Sequence, residues 1–322
     1  MGEVAMDRTE TTRVEAILKD ELARGNRALR GVAPVVAHLL ESSGAMPVSD
    51  AIVARLRGML SHLARQLLAA ARPGPLREPL AEGAVDRLAD VLAGDEVVLG
   101  HLYALAMEGH LTDRLEHRVS LDPVLSPLLQ ELIASDDPST AELAMSTLAA
   151  QSRFVQSQRR MELGVGELPS SVFARVLEAY EDAMQAEDPP AVTRALLVLR
   201  KDYDEGAGRQ GLLARLVTAM RGGAIAALAL DHAGLALFAS AMAALSRQPR
   251  DLAVLACHER QAARLALSLR AAGLEAEAIE RQFLLLEPVE LVPHGLATMP
   301  PERARTLLAG SEVADAYSSG AV

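Results

Sequence analysis

Hydrophobic residues recur along this chain at steps of three, four and seven, which is the spacing of an amphipathic α-helix. Residues 13–41 are predicted to form one long helix, which Pro34 should kink or divide because its ring clashes with the preceding turn. A second helix should begin after Ser49 or Asp50. The apolar stripes of these two segments are Val14, Ile17, Leu18, Leu22, Leu29, Val32, Val36 and Leu40, and then Ile52, Leu56, Met59, Leu60, Leu63 and Leu67.

Proline junctions punctuate the middle of the chain, and each is followed by a run rich in Ala and Leu. They are Asp122-Pro123, Asp137-Pro138, Leu168-Pro169 and Asp188-Pro189. An acidic residue before proline favours a helix start, because proline at the first helical position gives up an amide that would lack a partner anyway. The predicted helices are 77–93, 95–109, 112–118, 123–134, 138–163, 169–186, 190–203, 209–221, 224–230, 232–246, 251–272, 274–286 and 301–317.

The pattern therefore predicts an all-α protein. Short amphipathic helices joined by tight turns favour irregular stacked helical pairs, either a HEAT-like α-solenoid or a compact α-helical globule. The breaker Arg72-Pro73-Gly74-Pro75 predicts a boundary, with an N-terminal helical hairpin in residues 1–75 and a helical-repeat domain in 76–322. The regular stripe of the hairpin would suit self-association, so a homodimer through residues 13–70 is one expectation.

Two stretches resemble a known family. They are LDPVLSPLLQELIASDDPSTAELAMSTLAAQSRFVQSQRRMEL, from Leu121 to Leu163, and DLAVLACHERQAARLALSLRAAGLEAEAIERQFLLL, from Asp251 to Leu286. Both are similar to the bacterial domain-of-unknown-function family 2336, and the resemblance covers roughly residues 80–310. It implies HEAT-like helical pairs and a regulatory scaffold, and it brings no catalytic residues.

Composition narrows the function classes. Half of the residues are hydrophobic but only 2% are aromatic, so few large anchors exist for a tight binding pocket. A net charge of -11 argues against a general nucleic-acid binder. The single cysteine, Cys257, excludes an intramolecular disulfide. Residues 1–12 are polar and lack the pattern of a signal peptide, so we expect a cytoplasmic protein.

The stretch from Gly222 to Leu245 has the length of a membrane span. However, Asp231 and His232 occupy its centre, where charge is costly. We expect two buried helices instead, with Asp231 as the N-cap of the second, and no membrane span.

Candidate metal and nucleophile clusters have a more ordinary interpretation. His110, Asp113 and His117 fall at i, i+3 and i+7, which is a metal-ligand geometry if the helix is continuous. Gly109 and Thr112 predict a break there, so surface or capping histidines are expected. Cys257, His258 and Glu259 are consecutive, and helical neighbours point about 100° apart, so they cannot form their own catalytic dyad. Cys257 is expected to be a buried thiol.

Residues 206–211 match the pattern GxGxxG, but the charged residues 200–205 precede them where a dinucleotide site needs a strand. An interhelical loop is expected. Asp202, Asp204 and Glu205 suggest a calcium loop, yet Ala207 and Leu213 stand where that loop needs Gly and Glu. A solvated acidic loop is therefore expected, and no cofactor or metal is predicted.

Basic residues cluster at the end of the helix predicted for 138–163. Arg153, Gln156, Arg159 and Arg160 run against the acidic balance of the chain. Basic residues at the end of a helix are stabilised by the helix dipole, which is a sufficient structural explanation for this cluster. The functional alternative is a site for a partner or a phosphate group. The expected function is a non-enzymatic helical scaffold or regulatory module that binds another protein. The alternative is a small-molecule sensor or α-helical enzyme with an apolar cavity between helices, lined by residues 222–246.

Overall fold

The computed structural model describes residues 2–41, 50–72, 80–258, 260–286, 296 and 299–310, apart from the side chains of 2–11, 38, 39 and 41. The all-α prediction is confirmed, since this described part contains fifteen α-helices and no strand. The helices are α1 (Gly2–Arg30), α2 (Val32–Glu41), α3 (Asp50–Ala70), α4 (Glu82–Ala93), α5 (Glu96–Val119), α6 (Pro127–Ile133), α7 (Pro138–Arg160), α8 (Ser170–Met184), α9 (Pro189–Asp202), α10 (Arg209–Ala219), α11 (Leu230–Ser246), α12 (Arg250–Ala256), α13 (Ala262–Ala271), α14 (Ala276–Leu286) and α15 (Pro301–Ala309).

Two proline junctions cap helices as predicted. The Asp137 carboxylate accepts hydrogen bonds from the amide and the hydroxyl of Thr140 at the start of α7. Asp188 does the same for the amide of Ala191 at the start of α9, at 3.1 Å. At the third junction, Leu168-Pro169, α8 begins directly after the proline.

The prediction of a helix start at Asp122 is wrong. Asp122 accepts the amides of Val124 and Leu125 in a turn that does not continue into a helix. Helix α6 begins instead at Pro127, where the Ser126 hydroxyl caps the amide of Leu129. A short polar side chain precedes proline both at Asp122 and at Ser126, so the sequence signal is the same at the two positions. The prediction placed the helix start at the wrong one.

Other helix boundaries also differ from the predicted ones. The segment 13–41 is divided at Gly31, three residues before Pro34. The predicted helices 95–109 and 112–118 are one continuous α5, within which the Thr112 hydroxyl donates to the carbonyl of Glu108 at 2.8 Å. The predicted helix 251–272 is divided into α12 and α13, and the predicted α-helix 224–230 is part of a 3-10 helix, Arg221–Leu228.

The chain forms two compact units, each assembled from separated segments. Unit 1 contains the described residues of 1–31, 107–149 and 213–321, and unit 2 contains those of 32–106 and 150–212. This grouping differs from a division of the chain at residue 75, since α1 belongs to unit 1 whereas α2 and α3 belong to unit 2.

Unit 2 is built on four helices that contact one another in cyclic order, α3 on α4, α4 on α8, α8 on α9 and α9 on α3. Each turns one apolar stripe inward. The predicted inner face of α3 is confirmed, since its buried residues include Ile52, Leu56, Met59, Leu60, Leu63 and Leu67. The inner face of α8 consists of Val172, Phe173, Val176, Leu177 and Tyr180.

Unit 1 is centred on α11, which packs against α6, α12, α13, α14 and the 3-10 helix Arg221–Leu228. Its core is made mainly of Ala and Leu, as the low aromatic content predicts. Gly234 interrupts α11 with a φ of 71°, a conformation that favours glycine. A Cβ at this position would also meet the Cβ of Ser126 at 3.1 Å. The HEAT-like arrangement of the pairs stays a prediction.

Candidate functional site: the basic end of helix α7

The predicted basic cluster lies on the last three turns of α7 in unit 2. Arg153, Gln156, Arg159 and Arg160 are all exposed. Arg153, Gln156 and Arg160 are spaced i, i+3 and i+7, so they share one stripe of the helix, and Arg159 flanks it. Arg159 and Arg160 belong to the last turn, where their charge is favourable next to the helix dipole. We call these four residues the basic face.

The end of α7 is fixed to α3 by close contacts. Met161 ends the helix with a φ of 59°, and it sits against Gly58, where a Cβ would come within 2.5 Å of the Met161 Cβ. Just beyond it, the backbone of Leu163 is held by two side chains of α3. The Nδ1 atom of His62 lies 2.8 Å from the Leu163 carbonyl oxygen, and Gln66 Nε2 donates to the same oxygen at 2.8 Å. The end of α7 that carries the basic face is therefore anchored to α3.

A small depression adjoins the basic face. Arg153 lines it together with Phe154, Ser157 and Arg209, and it is open to solvent. Arg209 is only 2% exposed. Its guanidinium carbon lies 3.5 Å from the centroid of the Phe154 ring, a cation–π geometry, and its Nη1 donates to Gln151 at 3.1 Å.

The depression is mixed in charge, whereas the basic face is not. Glu162 and Glu167 also line the depression, and a carboxylate oxygen of Glu167 accepts the backbone amide of Arg209 at 2.9 Å. The start of α10 therefore already holds a carboxylate of the chain itself. Sequence reasoning missed Arg209 and Phe154, because an arginine at a helix start gives no signal that its side chain is buried.

The GxGxxG motif is a packing feature of this region. Its last three residues belong to α10, so it is not simply a loop. A Cβ on Gly211 would lie 2.3 Å from the carbonyl oxygen of Glu205, so glycine lets the preceding turn fold against the helix. Asp204 accepts the amide of Gly206 at 2.9 Å, and Glu205 accepts the amide of Ser170 at 3.0 Å. Both carboxylates bind the chain's own backbone.

The other predicted clusters lie in unit 1. His110, Asp113 and His117 do share one continuous helix, and Nδ1 of His117 lies 2.6 Å from the carbonyl oxygen of Asp113. Among the described residues, no group of three or more His, Cys, Asp or Glu side chains is placed to hold a metal ion. Cys257 is 1% exposed, and burial raises the pKa of its thiol to about 12. Glu259 lies outside the described residues.

A buried ion pair is the strongest polar feature of unit 1. Glu108 is 1% exposed, and its two carboxylate oxygens accept hydrogen bonds from Arg250 at 2.7 and 2.8 Å. Arg250 Nε donates to the Ser240 hydroxyl at 2.9 Å. Burial acts to lower the pKa of Arg250, but the charge and hydrogen bonds of Glu108 raise it above its ordinary value. Glu108 is therefore fully buried, and the Arg250 side chain is 12% exposed.

The Ala- and Gly-rich segment 222–246 is largely packed into the core of unit 1. Asp231 lies within the first turn of α11 and is not its N-cap, which is Ala229. In the described part of the chain, no single helix has the length and apolar character needed to cross a membrane. Arg209–Ala219 and Arg221–Leu228 meet those criteria only as a pair, and the pair is bent by 116°.

Asp231 of this segment lines an open groove on unit 1. Its apolar lining includes Leu121, Leu125 and Leu285, and Asp122 also lines it. Both of its carboxylates, Asp122 and Asp231, are exposed.

Comparison of the chain with protein-family models, with curated proteins and with solved structures gave no match. The resemblance to domain-of-unknown-function family 2336 stays a prediction.

Proposed function

We propose that this protein is a non-enzymatic helical interaction module that binds an acidic segment of another protein through the basic face of α7. The observation that carries the proposal is the exposure of Arg153, Gln156 and Arg160 on one stripe of a firmly anchored helix. Residues 150–160 contain three arginines and no acidic residue, in a chain with a net charge of -11.

The arrangement suits a protein partner better than a small anion. Arg153 and Arg160 are two helical turns apart, about 10 Å along the helix axis, so a single small anion cannot contact both when the side chains extend straight outward. An extended acidic peptide can, and Gln156 between them offers both a donor and an acceptor to the peptide backbone. Arginine also forms bidentate hydrogen bonds with carboxylates.

A charge-reversal experiment tests the proposal. Tagged wild-type protein and the variant Arg153→Glu/Arg160→Glu are used to recover partners from lysate of the native host, with quantification by mass spectrometry. The matched control is Arg13→Glu/Arg281→Glu, which makes the same change in net charge at exposed arginines of unit 1. We expect the variant on the basic face to lose specific partners that the control retains, and rising salt to weaken the same interactions.

Recovery of the same proteins in the same amounts by all three forms would refute the proposal. Circular dichroism of the purified variants checks that each remains folded. None of these substitutions replaces a buried residue that holds α7 in place.

A further inference from the structure

A large apolar side chain lies at the end of the basic face. Met161 directly follows Arg160 and is 39% exposed. Its amide donates to the carbonyl oxygen of Gln158 at 3.2 Å, and the amide of Glu162 donates to that of Ser157 at 2.8 Å. These two hydrogen bonds form the Schellman motif that ends α7.

Methionine is unusual at this position of the motif. Its φ of 59° lies in the left-handed region, which favours glycine because a side chain there crowds the backbone. The other described residues that adopt a positive φ without being glycine are Ser120, Arg221 and Arg247, which are all polar. Among the described residues, Met161 is therefore the only one with an apolar side chain, apart from glycine, in this conformation. A strained residue that is kept in place points to a use for its side chain.

Only part of this side chain is used in packing. A Cβ on Gly58 of α3 would lie 2.5 Å from the Met161 Cβ and 2.6 Å from its carbonyl oxygen, so α3 fixes the backbone and the base of the side chain. The exposed remainder is accessible to a partner. The flexible thioether of methionine adapts to apolar groups of different shapes, which suits it to a binding surface.

We propose that Met161 adds an apolar contact to the basic face, so that the partner is an acidic segment with an aliphatic or aromatic residue next to its run of carboxylates. This inference rests on the proposed function, since only a segment that lies along α7 brings such a residue to Met161. Arg153 and Arg160 are about 10 Å apart along the helix axis, a distance that about three residues of extended chain span. The residue beyond the carboxylate that faces Arg160 then reaches Met161.

The charges at this end of α7 favour an apolar residue there over a further acid. Glu162 follows Met161 and is half-buried, so a carboxylate of the partner placed beyond Arg160 would approach a like charge. An aliphatic or aromatic side chain avoids that repulsion and covers the exposed thioether. The expected segment is therefore acidic opposite Arg153 and Arg160 and apolar opposite Met161.

Fluorescence anisotropy with labelled synthetic peptides tests the proposal. The plain peptide carries a run of glutamates flanked by glycines and serines, and two further peptides carry a leucine directly after or directly before the same run, since a segment can lie along α7 in either direction. We expect one leucine peptide to bind wild-type protein about tenfold more tightly than the plain peptide, because covering the exposed part of Met161 removes apolar surface from water. Met161→Gln should abolish that gain and still bind the plain peptide like wild type.

The matched control is Met145→Gln, which makes the same change on the same helix. Met145 is 51% exposed, and this variant should keep the full gain from leucine. Equal affinities for the plain and leucine peptides, a gain that survives in Met161→Gln, or an equal loss in both variants would each overturn this inference and leave the proposed function standing. If none of the peptides binds, or if Arg153→Glu/Arg160→Glu binds them like wild type, this inference and the proposed function both fail.

Discussion

Replacing Glu108 with glutamine should destabilise the protein far more than an ordinary surface change. In wild type the carboxylate binds both terminal nitrogens of Arg250, at 2.7 and 2.8 Å, and it is 1% exposed. Glu108→Gln preserves the shape but removes the carboxylate that binds both terminal nitrogens of the largely buried Arg250. Breaking a buried pair in this way typically costs about 3–5 kcal/mol. The Arg250 side chain is 12% exposed, so we expect a loss near the lower end, about 3 kcal/mol.

The assay is urea denaturation followed by circular dichroism at 222 nm, with the slope and midpoint compared between variants. The double variant Glu108→Gln/Arg250→Met removes both charges, so it should be more stable than Glu108→Gln alone. Glu142→Gln, an exposed acid of α7 in the same unit, is the control and should change the stability by about 0.5 kcal/mol or less. If Glu108→Gln lowers the stability as little as Glu142→Gln does, the buried pair does not stabilise the fold as we infer.

Three further changes test other parts of the structure. The thiol of Cys257 has its pKa raised to about 12 by burial, so a thiol reagent at pH 8 should label the folded protein slowly and the urea-unfolded protein quickly; fast labelling of the folded form would contradict its burial. Gly211→Ala should cost about 1–3 kcal/mol by overpacking, whereas Gly222→Ala, with nothing within 4 Å of the new Cβ, should be nearly neutral; equal midpoints in urea would contradict the packing argument. The hydrogen bond from Arg303 lowers the pKa of Glu15 below 4.5. The ion pair therefore stabilises the fold above that pH, and this stabilisation is lost as the pH falls through the lowered pKa. The difference in the free energy of unfolding between wild type and Arg303→Gln should shrink over that acid range, and a difference that grows there would contradict the assignment.

The helical architecture could be predicted because local periodicity and packing agree in most segments. The prediction of 169–186 corresponds to α8 at Ser170–Met184, since its apolar stripe is the face that the core buries. The prediction failed where a local signal competed with burial. Gly109 and Thr112 are typical of a helix end, but the surrounding residues Met107 and Leu111 are buried, and packing keeps α5 continuous through them.

The candidate site was predicted only in part. The basic face could be found because the charge of its three arginines opposes that of the rest of the chain, and Gln156 lies among them. The buried Arg209 could not, since a single sequence gives no sign that its guanidinium stacks on Phe154. For the same reason Arg250 could not be matched with Glu108, which is 142 positions away in the chain.

Site-specific photo-crosslinking in the native host tests whether the basic face of α7 binds an acidic protein. A photo-reactive amino acid at position 156 lies between Arg153 and Arg160, and the same amino acid at position 281 serves as the control on unit 1. We expect a discrete adduct with an acidic protein from position 156, which is lost when Arg153→Glu/Arg160→Glu is added and is absent from position 281. The same adducts from both positions, or none from position 156 under conditions where both forms are expressed and folded, would contradict it.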